Sequence, residues 1–184
     1  MADGNALKLE IVTPSGVAFS QNVAELTAPG VDGEIGILPG HVAMLTAIVT
    51  GTVTLKPVGG GADDTTKYTV AHGVLEVAND KALLLTEKCA KKDDVDIVAT
   101  RARLKEVGEE LGSFQGELDD KHRIALIEEE QWLASLLELI GDPPPPTTRE
   151  LTRFQESGAD VIIEELLDES GASEQASDDA SQSD

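Results

Sequence analysis

The chain has 184 residues and a formal net charge of -21, and residues 141–184 alone carry 12 acidic against 2 basic side chains. Such a surface repels nucleic acid and anionic lipid headgroups, which argues against both as direct ligands and in favour of a basic protein partner. The single cysteine, Cys89, excludes an intrachain disulfide and fits a reducing compartment.

The opening MADGNALKLEIV has neither the basic n-region nor the apolar h-region of a secretory signal, and no apolar run reaches the length of a membrane span. Membrane association would therefore act through another protein. Leu7, Leu9 and Ile11 alternate with Lys8, Glu10 and Val12, which predicts a strand that Pro14-Ser15-Gly16 breaks. VAELTAPG predicts a second strand ending at Pro29-Gly30. The stretch GEIGILPGH (33–41) reads as a loop, and Leu45 to Leu55 as β-rich. GGGADDTT (59–66) is a loop by composition. KYTVAHGVLEVA and KALLLTEKCA follow, separated by Asn79-Asp80, the signature of a hairpin with a tight turn. Many short strands at regular spacing predict an antiparallel sandwich or barrel over residues 1–90.

At Asp93 the apolar period changes. Asp93 or Asp94 can cap a helix running through VDIVATRARLKEVGEEL, with Ile97, Leu104 and Leu111 spaced by sevens and Val107 beside them. Gly112 to Gly116 reads as a break. A second helix is predicted from about Glu117 to Ile140, striped by Leu126, Leu133 and Ile140 and widened by Leu136 and Leu137. Two amphipathic helices with a short connection make an antiparallel hairpin over 91–140. Residues 141–184 then form an appendage. Pro143 to Pro146 predict a stiff spacer, residues 149–169 a short helix, and the Ser/Asp/Ala/Glu/Gln run from Ser170 a disordered tail.

GEIGILPGH lacks the G-x-G core of a dinucleotide fingerprint, and β-rich sequence follows it where a helix is required, so its glycines read as turn formers. That leaves Glu34 and His41 free to be contact residues. His41, His72 and His122 lie in a loop, a predicted strand and the start of the second helix, with no metal-ligand spacing among them. Cys89 sits in KCAKK, whose lysines could lower its pKa, yet it has no positioned base. The plain alternative is a small apolar residue at a strand end. No catalytic residue, cofactor or metal is expected.

Taken in order and spacing, LKLEIVTPSGVAFS, GEIGILPGHVAMLTAI and YTVAHGVLEVANDKALLLTE, with the two-helix region after them, resemble the epsilon subunits of F-type ATP synthases over roughly residues 6–140. The resemblance implies an α+β fold, an antiparallel β-sandwich followed by a helical hairpin. It implies a non-catalytic rotor subunit of the central stalk, coupling c-ring rotation through gamma to ATP synthesis. It would lie peripherally at the cytoplasmic face of the bacterial inner membrane. The sandwich would bind gamma and sit on the c-ring, with Asp32, Glu34, Ile37 and His41 at the c-ring loop contact. The hairpin would fold on the sandwich or extend along gamma toward the alpha and beta subunits, where it inhibits ATP hydrolysis.

Two departures qualify this. The Asp-x-x-Arg-Ala start of ATP-binding members is not intact, because Ala99 stands three residues after Asp96 and the Arg101-Ala102 pair comes two residues late. The second helix carries Glu128-Glu129-Glu130 and Glu138, where inhibitory members present basic residues to an acidic loop. The appendage after Gly141 exceeds the family's usual end. It is either a solvated extension or a segment that blocks the hairpin or binds a basic surface. Two other readings remain open. An interaction module of another assembly would not bind gamma, and a stand-alone enzyme using Cys89 or a histidine would turn over alone.

Overall fold

The computed structural model describes residues 6–61, 64–113 and 121–144, and residues up to Pro144 belong to one compact unit. The predicted 149–169 helix and acidic tail, half of the four-proline spacer and residues 114–120 lie outside the described residues.

Nine strands precede two helices among the described residues: β1 Leu7–Thr13, β2 Gly16–Gly30, β3 Gly33–Ile37, β4 Met44–Ile48, β5 Gly51–Pro57, β6 Thr66–Val70, β7 Gly73–Ala78, β8 Lys81–Thr86 and β9 Cys89–Lys91, then α1 Ile97–Ser113 and α2 Lys121–Leu139. The strand order is β1-β8-β7-β4-β2-β5-β6-β9, with β1 also on β2 and β3 on β2. The early half of β2 pairs with β1 and its later half with β5 and β3. One long strand therefore serves both layers. Pairing is antiparallel except between β1 and β8, which run parallel.

Alternation builds the core. Leu7, Leu9 and Ile11 of β1 are fully buried and meet Leu26, Ile37, Val53, Leu55, Val70, Leu75 and Leu84 between the layers. Aromatics contribute little, chiefly a T-shaped Phe19–Tyr68 pair at 5.5 Å. The expected Asn79-Asp80 turn is present. Both residues have positive φ, 52° and 57°, as a two-residue hairpin loop with native twist requires. β7 and β8 approach closely at the open end of this hairpin, where Gly73 pairs with Thr86. A Cβ on Gly73 would fall 2.1 Å from the Leu85 carbonyl oxygen, so only glycine fits.

Several expectations are corrected. GEIGI is strand β3 and not loop, because Ile35 and Ile37 alternate inward under β2 while Glu34 and Gly36 face out. The β-rich stretch from Leu45 to Leu55 is two strands, and KYTVAHGVLEVA breaks into β6 and β7, which puts His72 in the bend between them. The cap of α1 is Asp96, whose Oδ1 accepts from the Ala99 N–H at 3.0 Å, while Asp93 and Asp94 sit in a preceding 3-10 turn. Ile97 lies off the helical seam and is largely exposed, and Ile140 falls just past the end of α2.

The helices pack along Val107, Leu126 and Leu133, flanked by Leu104 and Leu111. Arg103 of α1 grips Glu129 of α2 through two hydrogen bonds of 2.7 and 2.9 Å. That grip holds the Glu129 carboxyl below the usual carboxylate range. Gly141, at φ 86°, ends α2. The Asp142 N–H reaches the Leu137 carbonyl and the Gly141 N–H reaches Glu138, the paired bonds of a Schellman cap. Pro143 then forbids continuation.

Candidate functional site

Three outward surfaces of this unit could carry function. The first is the tip formed by β2, β3 and the turn after them. Val31 and Asp32 make the β2–β3 turn, both exposed, with Gly30 paired to Gly33. Glu34 stands exposed on β3, opposite Pro29. Leu38-Pro39-Gly40-His41 folds back through a 3.1 Å bond from the His41 N–H to the Leu38 carbonyl. Proline second, and glycine third with φ 81°, are what a type II turn demands. Asp80 pins this turn from 40 residues away, its Oδ1 accepting the Gly40 N–H at 2.6 Å. His41 is half-buried, and its Nδ1 donates to the Val42 carbonyl at 2.8 Å.

Of the four residues assigned to the tip from sequence, Asp32 and Glu34 stand together at the hairpin. His41 lies at the far end of β3, about 10 Å further along at ~3.4 Å per residue. Ile37 is different: it is fully buried in the core and presents no surface to a partner. Its exposed neighbours Leu38 and Val42 do, at 55% and 75% exposure, and were not singled out from sequence.

The second surface is the outer face of β4-β7-β8-β1. Cross-strand register aligns Ala47, Val74, Leu85 and Val12 in one apolar row. The next row on the same face is Leu45, Glu76, Leu83 and Glu10. Leu45 is 71% exposed, Leu85 48% and Val74 40%. A contiguous uncovered apolar face of this kind marks an interaction site. The sequence held its signal. Leu83-Leu84-Leu85 is apolar without alternation, so both faces of β8 must be apolar.

The third surface, the outer face of β5 and β6, is covered by α2. It is polar, with Thr52 opposite Thr69 and Thr54 opposite Lys67. Thr69 is fully buried there, and its hydroxyl donates to the Ser135 carbonyl at 3.1 Å. At the next corner, the Lys88 ammonium lies 5.7 Å from the Trp132 ring centroid.

The residues weighed for chemistry are not brought together. His72 faces Glu87 at 3.6 Å, and His122 faces Glu110 at 3.1 Å on the helical hairpin. The Cys89 thiol is pushed up to about 11 by burial and by the Asp94 carboxylate. This reverses the expectation from its flanking lysines, which are exposed, Lys88 lying against Trp132.

Residues 6–92 match the ATP synthase Delta/Epsilon chain beta-sandwich domain. The ATP synthase epsilon chain of Persephonella marina is 30% identical over 139 residues, covering 72% of this chain and 95% of that one. The chain belongs to the ATP synthase epsilon-chain family. The epsilon chain of Desulforamulus reducens is 34% identical over 112 residues, covering 61% and 82% of the two chains. A chain of the Euglena gracilis mitochondrial ATP synthase (OSCP, F1 and c-ring) shares the fold at TM-score 0.61 and 19% identity, covering 73% and 80%. Sandwich followed by paired helices is thus the epsilon-family fold, and the chain is a subunit of an F-type ATP synthase.

Proposed function

We propose that this epsilon-family chain is a non-catalytic central-stalk subunit, which couples rotation of the c-ring through gamma to ATP synthesis. The observation that carries the reading is the uncovered row Ala47, Val74, Leu85 and Val12, extended by Leu45. A monomer gains nothing by leaving such a face in water, while a subunit of a complex buries it on a neighbour. Gamma is that neighbour. The tip carrying Asp32, Glu34 and His41 is the c-ring contact, joined by Leu38 in place of the buried Ile37. Glu34 suits a polar c-subunit loop with a basic residue, since opposite charge fixes register. The chain is held peripherally at the cytoplasmic face of the bacterial inner membrane through these contacts.

The hairpin supplies regulation. It is docked here on β5 and β6, the folded arrangement of the family. When extended it would carry Glu128 and Glu138, both exposed here, toward the alpha and beta subunits. An acidic helix meets an acidic loop with repulsion, so its inhibition of ATP hydrolysis is weak.

Capture of gamma and c-ring by the full-length chain tests the assignment. Leu85→Asp places a charge in the apolar row and is expected to lower gamma capture at least tenfold. Glu34→Lys is expected to keep gamma but weaken coupling of proton flow to ATP synthesis. Unchanged gamma capture by Leu85→Asp would remove the proposed gamma face. Unchanged proton pumping and assembly with Glu34→Lys would remove the c-ring contact.

A further inference from the structure

We propose that the free edge of β3 takes up an added strand: an extended segment of the partner at the tip, carrying a basic residue, pairs its backbone with Glu34 and Gly36. This rests on reading the tip as the c-ring contact, which makes the segment the c-subunit loop, and it assigns that contact to main chain as well as side chains.

Strand register fixes which way β3 presents its backbone. In an antiparallel pair, opposed residues alternate between those that exchange N–H and C=O bonds and those that do not. Pro29, opposite Glu34, has no N–H, and its carbonyl accepts the Val49 N–H at 2.9 Å. Val49 lies away from β3, because Gly30 pairs with Gly33 on one side of β2 and with Ile48 on the other. Glu34 therefore sits in a non-bonded pair, and so does Gly36, two residues on and opposite Thr27. Ile35 and Ile37 make the ladder bonds, to Ala28 and Leu26. The N–H and C=O groups of Glu34 and Gly36 thus point away from β2 in the plane of the sheet, where no further strand follows among the described residues.

The two edges of this sheet, which runs β3-β2-β5-β6-β9, are treated differently. β9 is three residues long, and Lys88, Lys91 and Lys92 crowd it. Short length and lysines both discourage an edge from pairing. β3 has five residues in unbroken register, with no lysine and no proline. Gly36 adds a separate sign. Its φ lies outside the left-handed region, and a Cβ on it would meet nothing within 4 Å. Neither conformation nor packing within the described residues asks for glycine there, although glycine weakens a strand. A strand glycine of this kind admits a second backbone at close range. Charge completes the fit, since Glu34 on the edge and Asp32 at its turn face an incoming basic side chain. Pairing with two outward residues needs only about three extended residues of the partner, within reach of a loop. Main-chain bonds then supply affinity, and side chains supply register.

Amide exchange of the full-length chain, free and assembled with gamma and the c-ring, tests the pairing. Ile35 and Ile37 should be protected in both states. Glu34 and Gly36 should exchange fast in the free chain and at least tenfold more slowly in the assembly. Fast exchange at both in the assembly would overturn the proposal. Gly36→Pro deletes one outward N–H and leaves the β2 ladder whole, because proline is tolerated where an edge N–H faces solvent. It should lower affinity for the detergent-solubilised c-ring roughly two- to tenfold, the weight of one backbone hydrogen bond, with gamma capture unchanged. Should that variant fail to fold, exchange on the native chain decides alone. Glu34→Gln separates the added strand from the tip assignment. Weaker c-ring binding by Glu34→Gln, with native binding by Gly36→Pro, would leave the tip on the c-ring and overturn the added strand. Native binding by both variants would remove the tip contact itself, and the added strand with it.

Discussion

Asp80 offers the sharpest handle on the tip, because it acts twice. Its backbone occupies the left-handed region at φ 57°, and its carboxylate holds the Gly40 N–H at 2.6 Å. Three substitutions separate the roles. Asp80→Asn keeps an acceptor and tolerates the backbone, losing only charge, and should cost under about 1 kcal/mol. Asp80→Gly removes the acceptor but not the conformation, and should cost about 1.5 kcal/mol, the low end for a bond to a charged group since both partners are exposed. Asp80→Ala removes the acceptor and adds left-handed strain of roughly 1 kcal/mol, about 2.5 kcal/mol in all. Urea unfolding reads these differences as shifts of midpoint at constant slope. Amide exchange at Gly40 supplies the local reading: protection should persist in the Asn variant and vanish in the Gly and Ala variants. Retained Gly40 protection in Asp80→Ala would refute the tether. Gly and Ala variants of equal stability would refute the backbone argument.

Other outcomes follow from the same structure. Gly73→Ala should cost about 3 kcal/mol in urea unfolding, because its Cβ meets backbone 2.1 Å away that cannot yield without parting β7 from β8; a loss below about 1 kcal/mol would mean the strands shift freely. Glu129 is held below its ordinary 4.5 by Arg103, so its contribution to the hairpin is complete above that pH and is lost as pH falls through the lower folded value. Its side chain is a third exposed, which limits the effect to about 1 kcal/mol, and Glu129→Gln should abolish the acid dependence of helical content. Truncation after Pro144 should leave both the urea midpoint and ATP synthesis largely unchanged. Truncation after Gly141 removes the Asp142 partner of Arg101 and one cap bond, and should lower stability by about 1 kcal/mol.

The regular parts of the fold were legible because their side chains obey one period at a time. Leu7, Leu9 and Ile11 announce an inward face, and the Asn79-Asp80 turn announces its hairpin. β3 was hidden because glycines at 33 and 36 read as turn formers, although Ile35 and Ile37 keep the strand period. Ile37 was misplaced for the same reason, since a residue assumed to lie in a loop is assumed to be reachable. The cap of α1 moved to Asp96 because three acids lie within four residues and only backbone geometry chooses among them. The apolar row across β4, β7, β8 and β1 was legible in principle. Its residues come from four strands, and only the register brings them side by side.

The long strand β2 has a mechanical consequence. Its last residues carry β3 and the tip, its middle pairs with β5, and its first half pairs with β1, whose other neighbour is β8 of the apolar face. A load applied at Glu34 passes across the β3–β2 ladder, where Glu34 pairs with Pro29, and enters an extended strand of 15 residues that reaches β1 without a loop. Compliance in such a path comes from bending a hydrogen-bonded ribbon and not from rotating free dihedrals. Force applied at one end of such a strand reaches the other through the strand itself, which is the behaviour of a strut.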